Sequence, residues 1–373
     1  MLTMDKQPLY IRGTFFLLFI GLILLFLYIG QPLLVPVIVA LLFAFLVLPI
    51  AKKLESWNAP RWLSSFVGVL TILVVTGGLF GFLSSQLIRV ADDFPSMKAS
   101  VDAKMKTLYK YVESNYSISR REQSKWVLEK RQTLLDSGAN SMMAFFSATG
   151  AVIASMVLIP IFMFFMLLYR DKFKKYLELL NPTTHEQVLE VSRKISRVSQ
   201  QYIRGLFIDI AILTVLNAIG FLLLDLKFAI LLALVAAVLN IVPYIGVLVG
   251  SLLPIAVALV TKDSAMYAVG AFGVCVVVQF LDNNFITPNV VGSSVKLNPF
   301  ASIGALLFGG LLWGLPGMIL AIPLTGMFKL VCDHVPDLRP LGFLLGEEHE
   351  YKPFKFKRIS LPGLSRASGE KSK

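Results

Sequence analysis

Long apolar stretches recur along the chain, and they constrain its fold more than any other feature. A helix needs about 20 mostly apolar residues to cross the hydrocarbon core of a bilayer, because it rises about 1.5 Å per residue. Only 16% of the residues are charged, against about 25% in an average soluble domain. We therefore predict an all-α, polytopic membrane protein with about six full transmembrane helices, at residues 14–30, 33–50, 63–82, 144–169, 205–224 and 265–281.

Lysine and arginine residues cluster on one side of the predicted membrane. They precede the first span, fill the short loop after the second span and follow the fourth, whereas the turn between the first two spans carries no charge. Short cytoplasmic loops are rich in Lys and Arg, so we predict that both termini are cytoplasmic. The same anchoring residues explain the net charge of +12, and we predict no nucleic-acid partner. The residues are Lys6, Arg12, Lys52, Lys53, Arg61, Arg170, Lys172, Lys174 and Lys175.

The sequence NIVPYIG, at 240–246, interrupts a long apolar run. As one straight helix this run would be about 50 Å long, whereas the bilayer core is about 30 Å thick. Pro243 removes a backbone donor, and Gly246 loosens the chain just after it. We therefore predict a hairpin with its tip inside the membrane and with arms at 228–242 and 245–260.

A second interrupted run lies near the carboxyl end, where WGLPG joins the apolar arms 301–312 and 316–331. Gly314, Pro316 and Gly317 stand at the break. Each hairpin follows a full span, and those two spans run in opposite directions, so the hairpins are predicted to enter from opposite faces as an inverted repeat. In transporters this pattern marks the substrate site near the membrane midplane. Pairs of kinked, fully spanning helices fit the charge pattern equally well, so re-entrant and spanning arms both stay open.

Two charged residues lie at the start of the fifth predicted span. Asp209 is about one turn inside the span and follows Arg204 by five residues. An ionisable group in the membrane is costly and is a functional candidate by default. The pair is interpreted either as a structural ion pair near the cytoplasmic interface or as a proton carrier.

Polar side chains are also concentrated at the end of the sixth span and at the first tip. The segment QFLDNNFITP places Gln279, Asp282 and Asn283 together. These groups either cap the helix, or bind a cation or the hydroxyl groups of a polar solute. At the first tip, Asn240 contributes an amide and Tyr244 a phenol.

Several classes of function are excluded by motifs that the sequence lacks. It has no G-x-x-x-x-G-K-[ST] phosphate-binding loop, no H-E-x-x-H helix and no G-x-S-x-G turn. Its two cysteines form neither a disulfide framework nor a metal site, and its three histidines lie in polar segments. We therefore predict no enzymatic activity, no cofactor and no bound metal.

Three segments resemble the autoinducer-2 exporter (AI-2E) family of bacterial permeases: NIVPYIGVLVGSLLPI (240–255), QFLDNNFITPNVVGSSVKLNPF (279–300) and GGLLWGLPGMILAIPL (309–324). The resemblance extends over essentially the whole chain. It implies a multi-pass permease of the bacterial cytoplasmic (inner) membrane without an ATPase domain, and a homo-oligomer such as a pentamer. Some members of this family are described as exporting autoinducer-2, and others as exchanging cations for protons.

The motifs of the family fall on specific residues of this chain, and the resemblance implies that these residues belong to the transport pathway. The chain departs from the family pattern at Leu206, because the family commonly has glutamine after the Arg-Gly pair. This removes one polar group from the pathway, so the resemblance does not assign a particular solute to this chain. The matching residues are Pro243, Tyr244 and Gly246 in the first motif, Asp282, Pro288 and Gly292 in the second, and Gly314, Pro316, Gly317 and Pro323 in the third.

We expect a permease or secondary transporter that exports a small polar solute such as autoinducer-2, with the bilayer, the solute and H⁺ or Na⁺ as its partners. One alternative is a cation/proton antiporter that uses Asp209 and Asp282 as carriers. A second is a non-transporting membrane scaffold. The pathway is assigned to Asn240, Pro243, Tyr244, Gly246, Gln279, Asp282, Asn283, Pro288, Gly314, Pro316, Gly317 and Pro323, and the ion pair or proton carrier to Arg204 and Asp209.

The long loop after the third span is predicted to be extracytoplasmic and helical, because its apolar residues recur at steps of three and four. This helix either forms a cap or subunit contact, or packs on the chain's own spans. We divide the chain into five segments: amino-terminal transmembrane helices (1–83), an extracytoplasmic amphipathic helical loop (84–142), a transmembrane helix with a cytoplasmic amphipathic helix (143–204), a transport core with both hairpins (205–332) and a cytoplasmic tail (333–373).

Overall fold

The computed structural model describes residues 9–116, 157–180, 185–242, 245–290 and 297–347, and every regular element in these ranges is a helix. Five helical segments are long and apolar enough to cross a membrane, which confirms the predicted all-α polytopic architecture. The helices are α1 (Leu9–Ile29), α2 (Gln31–Ser56), α3 (Arg61–Tyr116), α4 (Val157–Leu168), α5 (Arg170–Leu180), α6 (His185–Leu223), α7 (Ala229–Leu239), α8 (Ile245–Thr261), α9 (Met266–Leu281), α10 (Thr287–Val290), α11 (Pro299–His334) and α12 (Arg339–Leu345).

The six predicted spans correspond to α1, α2, the first half of α3, α4, the second half of α6, and α9. The first part of the fourth predicted span, before residue 157, lies outside the described residues. The sixth span is longer than expected, because α9 continues through a π-helical segment (Asp282–Ile286) into α10. Gln279, Asp282 and Asn283 therefore lie inside a 25-residue helix, Met266–Val290. The interpretation that they cap the end of a span is wrong.

The helices define two ends of the bundle. The α2–α3 turn and the start of α5 lie together, because Arg170 pairs with Glu55 and Arg61 pairs with Asp171. We call this the basic end, and the charge pattern predicts that it is cytoplasmic. Since α6 follows α5 along the chain, α6 begins near the basic end and finishes at the far end with Leu223.

The helix α3 is longer than a membrane span needs and reaches the far end of the bundle. Its 56 residues make it about 84 Å long at about 1.5 Å per residue. There Lys104 donates to the backbone carbonyls of Leu259 and Lys262, at the carboxyl end of α8. The predicted amphipathic helix is thus continuous with the third span, and its described part packs on the chain's own helices. The predicted loop from residue 117 onwards lies outside the described residues.

The helices α7 and α8 form hairpin 1, which opens towards the far end. An ion pair joins its two ends, with 2.6 Å between Lys262 Nζ and Asp225 Oδ2. Near the tip, a Cβ atom on Gly246 would lie 1.7 Å from the carbonyl oxygen of Leu239, so only glycine fits there. The helix α7 has 11 residues and is about 16 Å long, too short to cross a core of about 30 Å. This arm is therefore re-entrant.

The helix α11 is also a hairpin, which we call hairpin 2. Gly314 has φ 61° and ψ −140°, a backbone conformation that glycine readily adopts, and it reverses the chain between the arms 299–313 and 315–334. The arms touch where a Cβ atom on Gly317 would lie 1.9 Å from the carbonyl oxygen of Gly309. At about 1.5 Å per residue the arms are about 22 and 30 Å long.

Hairpin 2 enters from the basic end, opposite to hairpin 1. At its open end, His334 Nε2 lies 3.1 Å from Lys194 Nζ, in the first part of α6. Its tip lies at the far end, where Trp313 Nε1 donates to the carbonyl of Leu27 at 2.9 Å, beside the α1–α2 turn. The two hairpins therefore enter from opposite ends, as predicted. Hairpin 2 reaches across the bundle, whereas hairpin 1 stops inside it.

Small residues allow α6, α7, α8 and α9 to pack closely. Ala233, Ala258 and Ala271 are fully buried around Phe221, with contributions from all four helices. Close packing through small side chains is typical of helices in membranes. It brings the tip of hairpin 1 against the middle of α6 and the second half of α9.

Candidate functional site

The buried carboxylate of Asp282 is the centre of a group of polar side chains between α6, α9 and the tip of hairpin 1. Asp282 is 2% exposed. Its Oδ2 accepts a hydrogen bond from Asn240 Nδ2 at 2.8 Å and a longer one from Gln279 Nε2 at 3.4 Å. Its Oδ1 accepts from Thr287 Oγ1 at 2.7 Å. A carboxylate that accepts several hydrogen bonds can remain in an otherwise apolar environment.

The π-helical segment explains how Thr287 reaches Asp282. In an α-helix, residues five apart point to different faces, because each residue turns by about 100°. In the π-helix the backbone N–H of Thr287 donates to the carbonyl of Asp282, five residues earlier, and the two side chains lie on one face. Short π-helical segments are frequent at functional sites. The π-helical backbone therefore brings the side chains of Asp282 and Thr287 together on one face of the helix.

Asp209, near the middle of α6, brings a second carboxyl group to the site. It is 6% exposed, and it lies within hydrogen-bonding range of the Asp282 carboxyl. Its Oδ1 is buried and has no hydrogen-bond partner in the described part of the chain. We call Asp209, Asn240, Gln279, Asp282 and Thr287 the polar cluster.

Arg204 does not neutralise Asp209. It is exposed, and within the described ranges no ion pair joins the two side chains. Five residues of helix separate their directions by about 140°, which is why one face does not hold both. The interpretation as an ion pair is therefore not supported, and the neighbour of Asp209 is another acid.

A small cavity, of about 30 Å³, lies beside the polar cluster between α6, α7, α8 and α9. Amide groups of Asn217, Asn240 and Gln279 line it, together with the hydroxyl of Ser251. The amide nitrogen of Asn217 donates to a backbone carbonyl, and that of Asn240 donates to Asp282. Within the described ranges no donor reaches their amide oxygens, which are thus available to a bound molecule. A cavity of this size holds a water molecule but no organic solute.

The other predicted residues at the first tip and in α10 are placed differently. Gly246 is buried at the tip, while Pro243 and Tyr244 lie outside the described residues, as does Gly292. Asn283 accepts a hydrogen bond from Gln279 at 3.1 Å, at the edge of the polar cluster. Pro288 is exposed in α10.

The predicted pathway residues of hairpin 2 are not brought into the polar cluster. Gly314 and Pro316 are exposed, and Gly317 and Pro323 are buried within the hairpin. In the described part of the chain, the side-chain hydrogen bonds of this tip join Trp313 to the α1–α2 turn. Among the described residues, the tip of hairpin 1 contacts the polar cluster and the tip of hairpin 2 does not.

Three residues at the site were not predicted from the sequence. Thr287 was not recognised, because the pattern alone does not reveal a π-helical turn. Asn217 lies in the middle of the apolar segment TVLNAIGFLLL, and an amide at such a position is the signal that could have revealed it. Ser251 resembles any serine of a membrane helix, with its hydroxyl bonded to the carbonyl of Leu248, so no signal marked it.

Interrupted helices that end at polar groups inside the membrane are typical of membrane transporters. Residues 15–337 match the family described as AI-2E family transporter, and this chain belongs to that family. It is 25% identical to YrrI of Bacillus subtilis (strain 168), over 82% of this chain and 87% of that protein. It is 27% identical to YueF of the same organism, over 79% and 82%. The AI-2 transport protein TqsA of Escherichia coli (strain K12) is 23% identical, over 92% of this chain and 99% of TqsA.

Proposed function

We propose that the chain is a secondary transporter that moves a small polar solute, and that the polar cluster lies in its pathway. The observation that carries the proposal is the contact between Asn240, at the tip of a re-entrant arm, and Asp282, inside a membrane helix. Polar side chains at membrane depth are costly and mark solute or ion pathways. Membership of a transporter family supports transport over the scaffold alternative.

The size of the cavity bears on how a solute would reach the cluster. The cavity of about 30 Å³ admits water-sized molecules only. A solute with several carbon and oxygen atoms therefore requires a movement of hairpin 1 away from α6 and α9. Gly246 and Gly250 let the two arms of hairpin 1 pack closely against each other.

Autoinducer-2 is the first solute to test, because the family description and the name of TqsA both refer to it. The expected direction is export, across the bacterial cytoplasmic membrane. The basic end supports cytoplasmic termini, and a homo-oligomer is expected from the family resemblance.

The test is solute movement in liposomes that contain the purified full chain. The native protein is expected to move labelled autoinducer-2, and Asp282→Asn is expected to lower the rate at least about tenfold, because hydrogen bonds to a charged group are worth about 1.5–3 kcal/mol. Asn284→Ala is the matched control, since the Asn284 amide donates to a backbone carbonyl on the exposed side of the same helix. Equal rates for Asp282→Asn and the control would contradict the pathway.

Exchange of a cation for protons is a second candidate, and one observation favours it. The carboxyl groups of Asp209 and Asp282 are neighbours, and acidic side chains inside a membrane are typical of proton relays. A group that gains and loses one proton per cycle can couple solute or cation movement to a proton gradient. In the same liposomes, an internal pH dye should report proton movement that depends on the cation and is lost in Asp209→Asn. Proton movement that survives this change would remove the second candidate.

A further inference from the structure

Ion pairs join two segments of the basic end, residues 52–62 and residues 169–180. Arg170 of α5 pairs with Glu55 of α2, and these side chains are about one-fifth exposed. Asp171 pairs with Arg61 at the start of α3. The ion pairs thus join the end of α2, the start of α3 and the helix α5 into one continuous surface.

The charge on this surface is not balanced. The two segments contain seven basic and three acidic residues. All three acids are engaged: Glu55 and Asp171 in the ion pairs above, and Glu178 with Lys174 at 3.9 Å. In the described part of the chain, the four remaining lysines have no acidic partner, and all four are exposed: Lys52, Lys53, Lys172 and Lys175. We call this surface the lysine patch.

Exposed aromatic side chains surround these lysines. Trp57 is 68% exposed and Trp62 is 57% exposed, on the two sides of the α2–α3 turn. Tyr169, Phe173 and Tyr176 are exposed along α5 and the residue before it. Lys53 lies 5.6 Å from the centre of the Trp57 ring, and Lys172 lies 5.0 Å from that of Tyr169. Tryptophan and tyrosine concentrate where a membrane meets water, so the patch lies at headgroup level.

We propose that the lysine patch binds the headgroups of anionic phospholipids. Four uncompensated lysines at headgroup level attract a negatively charged leaflet, and the aromatic rings anchor the surface between water and hydrocarbon. The helix α5, RDKFKKYLELL, has the composition of an interfacial helix, because its lysines lie beside aromatic residues. An acidic protein would be attracted by the same lysines, but the exposed aromatic side chains around them favour a lipid surface.

The test is competition between two lipids for the purified full chain. The protein in neutral detergent receives equal amounts of phosphatidylglycerol and phosphatidylcholine, and native mass spectrometry counts the bound lipids of each kind. We expect phosphatidylglycerol to be preferred. Each lysine removed is expected to lower its binding roughly fivefold, so Lys172→Gln with Lys175→Gln lowers it roughly 25-fold. The charge-retaining pair Lys172→Arg with Lys175→Arg is expected to keep the preference.

A matched control removes two exposed cations elsewhere, by Arg89→Gln with Lys106→Gln on α3. It should leave the preference for phosphatidylglycerol unchanged. Equal binding of both lipids to the native chain would overturn the proposal, and so would the same loss in the control pair. Competition by inorganic phosphate at similar concentration would show a site for free anions instead of a lipid surface. None of these outcomes depends on the transported solute.

Discussion

Hairpin 1 and hairpin 2 are both interrupted by glycine and proline, yet their tips meet different partners. Asn240, at the tip of hairpin 1, donates to the Asp282 carboxylate inside the bundle. Trp313, at the tip of hairpin 2, donates to the carbonyl of Leu27 at the far end. One tip therefore contributes to a polar site, and the other fastens the hairpin to the α1–α2 turn.

The length of the arms explains this difference. The helix α7 has 11 residues, so hairpin 1 ends at the depth where Asp209 of α6 and Asp282, after α9, are buried. The arms of hairpin 2 are about 22 and 30 Å long at about 1.5 Å per residue, so its tip passes this depth. In this chain, the break that lies beside polar side chains is the one whose arm ends inside the bundle.

The largest effect is expected from a methyl group at either tip, because both hairpins close through backbone contacts. Gly246→Ala places Cβ 1.7 Å from the carbonyl oxygen of Leu239, and Gly317→Ala places it 1.9 Å from that of Gly309. Backbone atoms cannot move aside cheaply, so each variant should lose about 3 kcal/mol or more of stability. Melting temperatures in detergent measure this loss. Gly273→Ala and Gly304→Ala, whose added Cβ meets nothing within 4 Å, should melt like the native protein; equal losses in all four would refute the contact argument.

The second prediction separates the roles of the two tips. Asn240→Ala removes a hydrogen bond to a buried carboxylate and should lower the transport rate about tenfold or more, besides costing about 1.5–3 kcal/mol of stability. Trp313→Phe removes a hydrogen bond to a backbone carbonyl and should cost about 1 kcal/mol of stability, with little change in rate. Liposome transport and thermal unfolding are measured on both variants. If both variants have the same effect on rate and stability, the tips do not differ in function.

Much of this comparison was accessible from the sequence. The breaks at Pro243 and Gly314 and the apolar length of the runs predicted two hairpins with opposite entry. The depth of each tip was not predictable, because it depends on where each arm ends. The helix α7 ends at Leu239, three residues before the predicted end of the arm, and hydropathy does not show this turn.

The site was predicted in part, and the missing part depends on backbone geometry. Asn240, Gln279 and Asp282 stood out as polar groups in apolar segments. The hydroxyl of Thr287 joins them only because of the π-helical segment after α9. The pairing of Asp209 with Asp282 depends on the packing of α6 against α9, which no local pattern contains.

The third prediction tests the π-helical contribution to the polar cluster. Thr287→Val removes the hydroxyl that donates to Asp282 at 2.7 Å and keeps the shape of the side chain. The transport rate should fall roughly threefold to tenfold, because Asp282 keeps Asn240 and Gln279 as donors. Thr287→Ser retains the hydroxyl and should restore most of the rate. A serine variant as slow as the valine variant would assign the effect to packing instead of the hydrogen bond.

The smallest effect is expected at the open end of hairpin 1, where Lys262 donates to Asp225 at 2.6 Å. This hydrogen bond and the charge of Lys262 lower the pKa of Asp225 below its ordinary value of 3.8. Because the pKa is lower in the folded state, the pair adds stability above the ordinary pKa, and the gain is lost as the pH falls through the lowered pKa. The native chain should therefore melt slightly above Asp225→Asn at pH 6, and the two should converge as the pH falls below the lowered pKa. The gain is small because Asp225 is exposed and salt screens the pair. A difference that persists unchanged in acid would mean that the Asp225 side chain stabilises the hairpin without its charge.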